Sequence, residues 1–136
     1  MTRETFSHNA PTLADFETLA ARAFADLPAE VRRACADLLI RVSDFAGDDI
    51  LDEMGIEDPF ELTGLYEGTA LTEKSVLDQP AGPDVVWLFR RAILEEWIER
   101  GDVGLDRLVR HVVVHEIAHH LGWSDDDIRA VDDWTE

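Results

Sequence analysis

The stretch HEIAHHLGWSDDD, from His115 to Asp127, holds three histidines, one glutamate and three aspartates within thirteen residues. His115 and His119 stand four apart, and Glu116 directly follows the first. On an α-helix, residues four apart lie one above the other on the same face. Two imidazoles so placed can converge on one zinc ion. Glu116 falls about 100° around the helix from His115. It therefore flanks the ion without ligating it, and it reaches a water held there. Such a water gives up its proton near neutral pH. A carboxylate beside it takes that proton and passes it to a leaving amine. The spacing joins a nucleophile generator and a general base in five residues, which is the chemistry of metal-assisted hydrolysis.

A catalytic zinc needs a third protein ligand and keeps one position open for water. Gly122 and Asp125 extend the pattern to H-E-x-x-H-x-x-G-x-x-D. A glycine at a helix end adopts the left-handed conformation and turns the chain sharply. That turn lets Asp125, three positions on, come back toward the imidazoles. Asp126 is the alternative third ligand. Asp125, Asp126 and Asp127 also fall in the first turn of an expected closing helix, where the helix dipole favours acids with or without a metal.

The other two histidines of this region read differently. His111 shares the face of His115 but lies about 12 Å of helix rise from His119, so all three cannot hold one ion. A His111–His115 pair would put Val112 in the place of the base. His120 lies about 140° around the helix from His115, which assigns it a hydrogen bond in the core or at the rim.

These residues need a helix to carry them. The pattern GLDRLVRHVVVHEIAHHLG supplies it, with Leu105, Leu108, Val112, Val113, Ile117 and Leu121 tracing an apolar stripe. Thr12 caps a first helix running through Phe16, Leu19, Ala20 and Ala23 to Leu27. Pro28 starts a short second helix from Ala29 to about Ala36. Leu38 to Phe45 reads as a buried strand, FELTGLYEG as a short strand broken at Gly64, and Asp84 to Phe89 as the clearest strand of the chain. A helical turn ends at Gly55, and RRAILEEWIER forms a helix stopped at Gly101. TALTEKSVLDQPAGP is a loop, and a short helix capped by Ser124 closes the chain. The class is α+β: a small mixed sheet of about three strands packed on helices, one of which bears the histidines.

Composition bounds the rest. The chain has 136 residues, 46% of them hydrophobic, enough for one domain over residues 12–136 behind a flexible tail at 1–11. Cys35 is the single cysteine, so no intrachain disulfide forms. The first residues are polar and mixed in charge, unlike a secretory signal. No apolar run approaches the roughly 20 residues of a membrane span. A cytoplasmic protein without a membrane partner is expected. The net charge of -18 repels phosphate backbones, so nucleic acid is not an expected partner. The same charge favours cations, including metal ions and basic peptides.

Taken together, LTGLYEGTALTEKS, PDVVWLFRRAILE and VVVHEIAHHLGWSDDDI make the chain resemble the small single-domain zincin-like metallopeptidases of bacteria. The similarity spans about residues 12 to 131 and is strongest after Phe60. It implies a compact zincin-like fold with Zn2+ as cofactor, His115 and His119 as ligands, Glu116 as base and Asp125 at the acidic position after the glycine. The extended motif is also similar to that of metzincins. Those carry a methionine turn after it, whereas Met1 and Met54 both precede it here. Zincins commonly lay an extended peptide along a sheet edge, and Leu62–Tyr66 and Val85–Phe89 are the two segments available for it.

Two readings of function follow. In the first, the chain is a zinc peptidase acting on a peptide or protein substrate, with the Tyr66 phenol offered to a developing oxyanion and Trp123 beside the glycine turn as a substrate contact. A Tyr66 hydroxyl satisfied inside the protein is the competing role. In the second reading, a non-catalytic metal-stabilised module binds a protein or peptide on the same fold, because a short chain leaves little room for a deep cleft. Neither reading specifies an oligomeric state.

Overall fold

The computed structural model describes residues 10–68, 84–123 and 126. Helix α1 is Leu13–Ala25 and α2 is Ala29–Ala34; strand β1 is Leu39–Ser43; α3 is Asp48–Met54. A 3-10 turn at Pro59–Glu61 leads to strand β2, Gly64–Glu67. Strand β3 is Val85–Phe89, followed by α4, Arg90–Arg100, and α5, Leu105–Leu121. The expected loop over 69–83 lies outside the described residues. So do residues 1–9 of the expected tail and most of the closing helix.

Local chemistry accounts for the ends of these elements. Thr12 caps α1 in a reciprocal box: its hydroxyl accepts from the Asp15 N–H at 3.1 Å, and the Asp15 carboxylate accepts from the Thr12 N–H at 2.8 Å. Such a cap contributes about 1 kcal/mol. Gly55, Gly101 and Gly122 end α3, α4 and α5 with φ of 71°, 74° and 73°. These are left-handed positions that cost other residues energy.

The sheet order is β1-β3-β2, with β1 parallel and β2 antiparallel to the central strand. This corrects two expectations. Among the described strands β1 lies at an edge, with Leu39 exposed, instead of being buried, because β3 is more apolar and takes the place between the other two. Gly64 begins β2 instead of breaking a longer strand. The residues before it are diverted into the 3-10 turn by Pro59 and by Asp58, whose carboxylate accepts from the Phe60 N–H at 3.0 Å.

Alternation divides the sheet into two faces. Val86 and Leu88 join Ile40, Val42 and Tyr66 against α1 and α5 in the main core. Trp87, Phe89 and Leu65 turn the other way, into a smaller cluster with Leu51, Leu62 and Ala92. Phe16, Leu88, Ile93 and Leu108 are fully buried, each contributing about 1.5–3 kcal/mol. On α5 the buried set is wider than the predicted stripe and includes Val109, Val114 and Ala118. The helix is therefore embedded between α1, α4 and the sheet. No helix among the described residues is long and apolar enough to cross a membrane.

Candidate active site

Helix α5 presents His111, His115 and His119 as a ladder. Ring centroids are 5.9 Å apart for the first pair and 5.3 Å for the second. His119 is exposed and His115 half-buried, while the intervening Glu116 is 9% exposed. Val112, the residue that would replace Glu116 in a His111–His115 pair, is a buried core side chain. Among the described residues, Glu116 stands beside the second pair.

Burial pushes the Glu116 carboxyl above its ordinary pKa. The imidazoles of His119 and His115 and the main-chain N–H of Tyr66 oppose that rise. Glu116 Oε1 is 3.2 Å from His119 Nδ1. A proton on Nδ1 facing the carboxylate leaves Nε2 of His119 as the lone-pair nitrogen, which is what a metal ligand must offer.

Strand β2 brings the sheet to this helix. The Phe89 N–H donates to Thr63 O at 2.9 Å, so Thr63 and Phe89 form a hydrogen-bonded pair. Alternation then aims the main-chain groups of Leu65 and Glu67 at β3, and those of Gly64 and Tyr66 at the outer edge of β2. The Tyr66 N–H uses that direction to reach Glu116. Gly64 permits the approach: a Cβ there would lie 2.6 Å from Val112 Cγ1 and 3.2 Å from Glu116 Cγ. Gly64→Ala is expected to push β2 off α5 and to cost about 1–3 kcal/mol, the range for overpacking. Chemical denaturation measures this. Val112→Ala in the same chain should recover part of the loss; strict additivity would show that the close approach is not the cause.

Of the two segments considered for an extended substrate, Val85–Phe89 is the central strand and is paired on both sides. Leu62–Tyr66 contributes the edge strand beside the histidines. Tyr66 donates its hydroxyl to Asp84 Oδ2 at 3.0 Å, and His120 Nδ1 lies 3.0 Å from the same hydroxyl. The phenol is thus satisfied inside the protein. His120 is buried and bonded in the core, the first of the two places its angle around the helix left open. Asp84, its other partner at 3.1 Å, carried no signal in the sequence beyond being an acid at the start of an apolar strand. The Trp123 N–H donates to Ala118 O at 2.9 Å, closing α5 past Gly122, and its half-buried ring packs on the main core. Asp126 is helical and exposed. Asp125 lies outside the described residues.

Cys35 is no rival nucleophile. It is 1% exposed, and burial pushes its thiol up to about 11, away from the reactive thiolate.

An HExxH pair on an embedded helix, with its glutamate tied to the edge strand of a small mixed sheet, is the arrangement a zincin needs. The profile of the zincin-like metallopeptidase family matches residues 35–135. The chain belongs to that family. Among curated proteins, none matches it. The matched part of this zincin starts at Cys35, so α1 and α2 precede it, although α1 packs directly on α5.

Membership implies zinc, and the donors present fit it. The described residues alone form no group of three or more metal-ligating side chains. They supply two imidazoles on one face, with a carboxylate set to one side. Gly122 ends α5 with a left-handed φ of 73°.

Proposed function

We propose that this zincin is a zinc-dependent peptidase in which Glu116 is the general base. The observation that carries this reading is the grouping of His115, His119 and Glu116 beside the outer edge of β2. His115 and His119 would hold the ion, with Asp125 as the proposed third ligand and Asp126 as its alternative. Bound zinc supplies Lewis acidity, lowering the pKa of a water toward neutrality and stabilising negative charge on a carbonyl oxygen.

The chain's own residues do the rest. Glu116 takes the proton of the attacking water and delivers it to the leaving amine. Desolvation raises its buried carboxyl above the ordinary glutamate range, which strengthens it as a base. The Tyr66 N–H orients it. The edge of β2 is the proposed bed for an extended peptide, because pairing with main-chain groups requires no particular side chains. Trp123 flanks the turn at the end of α5 and is the proposed side-chain contact for substrate. With a net charge of -18, unfolded or basic peptides are the proposed substrate class, with no nucleic-acid or membrane partner proposed. A cytoplasmic setting accords with the lone reduced Cys35.

Elemental analysis and a peptide library test this together. One zinc per chain is expected, with cleavage of unfolded or basic peptides that a chelator abolishes and added zinc restores. Stoichiometric zinc without any cleavage in a highly purified sample would replace the peptidase by the non-catalytic binding module. Absence of stoichiometric metal would remove both readings.

A further inference from the structure

Behind the ladder of histidines lies a polar cluster that the proposed hydrolysis does not consume. Asp84 is 9% exposed and His120 is 4% exposed. The Tyr66 hydroxyl donates to Asp84 Oδ2 at 3.0 Å. His120 Nδ1 is 3.0 Å from the Tyr66 oxygen and 3.1 Å from the same Asp84 oxygen. Two donors and two oxygen acceptors thus close a triangle. Buried polar groups of this kind act as a unit, since removing one strands the others without solvent.

The three corners come from three places: the residue before β3, the middle of β2, and the last turn of α5. Gly68, at φ 148°, leaves the room they need, because a Cβ there would collide with Asp84 Oδ1 and approach the Tyr66 hydroxyl. Tyr66 is bonded at both ends. Its side chain enters the triangle, and its main-chain N–H donates to Glu116. The neighbouring amides of Leu65 and Glu67 face β3 instead. Of these three amides, that of Tyr66 reports the seating of β2 on α5.

We propose that Asp84 is a positioning residue: by joining the Tyr66 hydroxyl to His120 it seats β2 on the last turn of α5, and so sets where the Tyr66 N–H meets Glu116. Its effect on turnover rests on the peptidase reading above. Asp84 itself stays remote from the substrate and acts through Tyr66.

The experiment compares the parent with Asp84→Asn and Tyr66→Phe, all loaded with zinc. Residue-resolved hydrogen exchange is read alongside kinetics on a peptide substrate. Both variants keep stoichiometric zinc. In each, the Tyr66 amide exchanges at least about tenfold faster relative to the Leu65 and Glu67 amides, and kcat falls about tenfold with KM little changed. If Asp84→Asn does not fold, Tyr66→Phe, which keeps the main chain and the ring, decides by itself. Equal acceleration at all three amides, or none, overturns the proposal, because the triangle would then be ordinary core stabilisation. Selective acceleration with kcat unchanged in an active parent overturns it too. A parent that binds zinc and cleaves nothing sinks the peptidase reading alone, and selective exchange at Tyr66 still supports the seating of β2 by Asp84.

Discussion

Glu116→Gln leaves zinc bound and lowers kcat by about 10²–10⁴-fold, the range for loss of a general base. That loss corresponds to roughly 3–5 kcal/mol of transition-state stabilisation. The substitution isolates proton transfer from everything else the side chain does. Glutamine has the same length, and its carbonyl oxygen still accepts from the Tyr66 N–H, the bond that orients Glu116. What it cannot do is take a proton from water. The fold should not suffer: burial raises the pKa of the native carboxyl, so ionised Glu116 is held against a desolvation cost that an amide avoids. Thermal unfolding of the metal-free variant is therefore expected at or above the parent's Tm. Hydrolysis at the parental rate, with zinc content verified, would remove Glu116 from the mechanism and with it the use of HExxH as a catalytic motif here.

The second large effect separates adjacent histidines. His119→Ala is expected to lower zinc affinity by more than about 100-fold, since loss of an orienting partner alone costs 10–100-fold and this residue is proposed to touch the metal itself. His120→Ala is expected to retain one zinc per chain and to lose about 1–3 kcal/mol of stability through the stranded Asp84 and Tyr66 groups. The exposures argue for this split: the His119 side chain is 52% accessible and that of His120 only 5%. Zinc retention against a competing chelator, and unfolding of the metal-free proteins, measure the two effects separately. Loss of zinc in His120→Ala with zinc kept in His119→Ala would reverse the assignment of faces.

Much of this molecule is local in origin and therefore legible along the chain. Thr12 and Asp15 cap α1 through contacts within four residues. Gly55, Gly101 and Gly122 stop helices because a left-handed residue is needed there whatever packs around it. The relation of His115, Glu116 and His119 follows from helical periodicity alone, which also turns His120 off their face but leaves core or rim for the fold to decide. Even the proposed chemistry is local, since two of the proposed ligands and the base lie within five residues of α5.

Other features depend on which distant segments meet. Whether Leu39–Ser43 or Val85–Phe89 takes the sheet centre is a competition for neighbours, and an apolar run reads much the same in either place. The role of Tyr66 turned on a partner, Asp84, 18 residues away in sequence. No periodicity relates a mid-strand phenol to an acid ahead of another strand. Gly64 looks like a strand breaker by propensity, yet it is needed where β2 approaches α5, because only the tertiary contact with Val112 gives its missing side chain a purpose. The sequence by itself determined the reactive groups and their order on the helix. Tertiary structure decided which edge faces them and what holds Glu116 in place, because those depend on contacts between segments far apart in the chain.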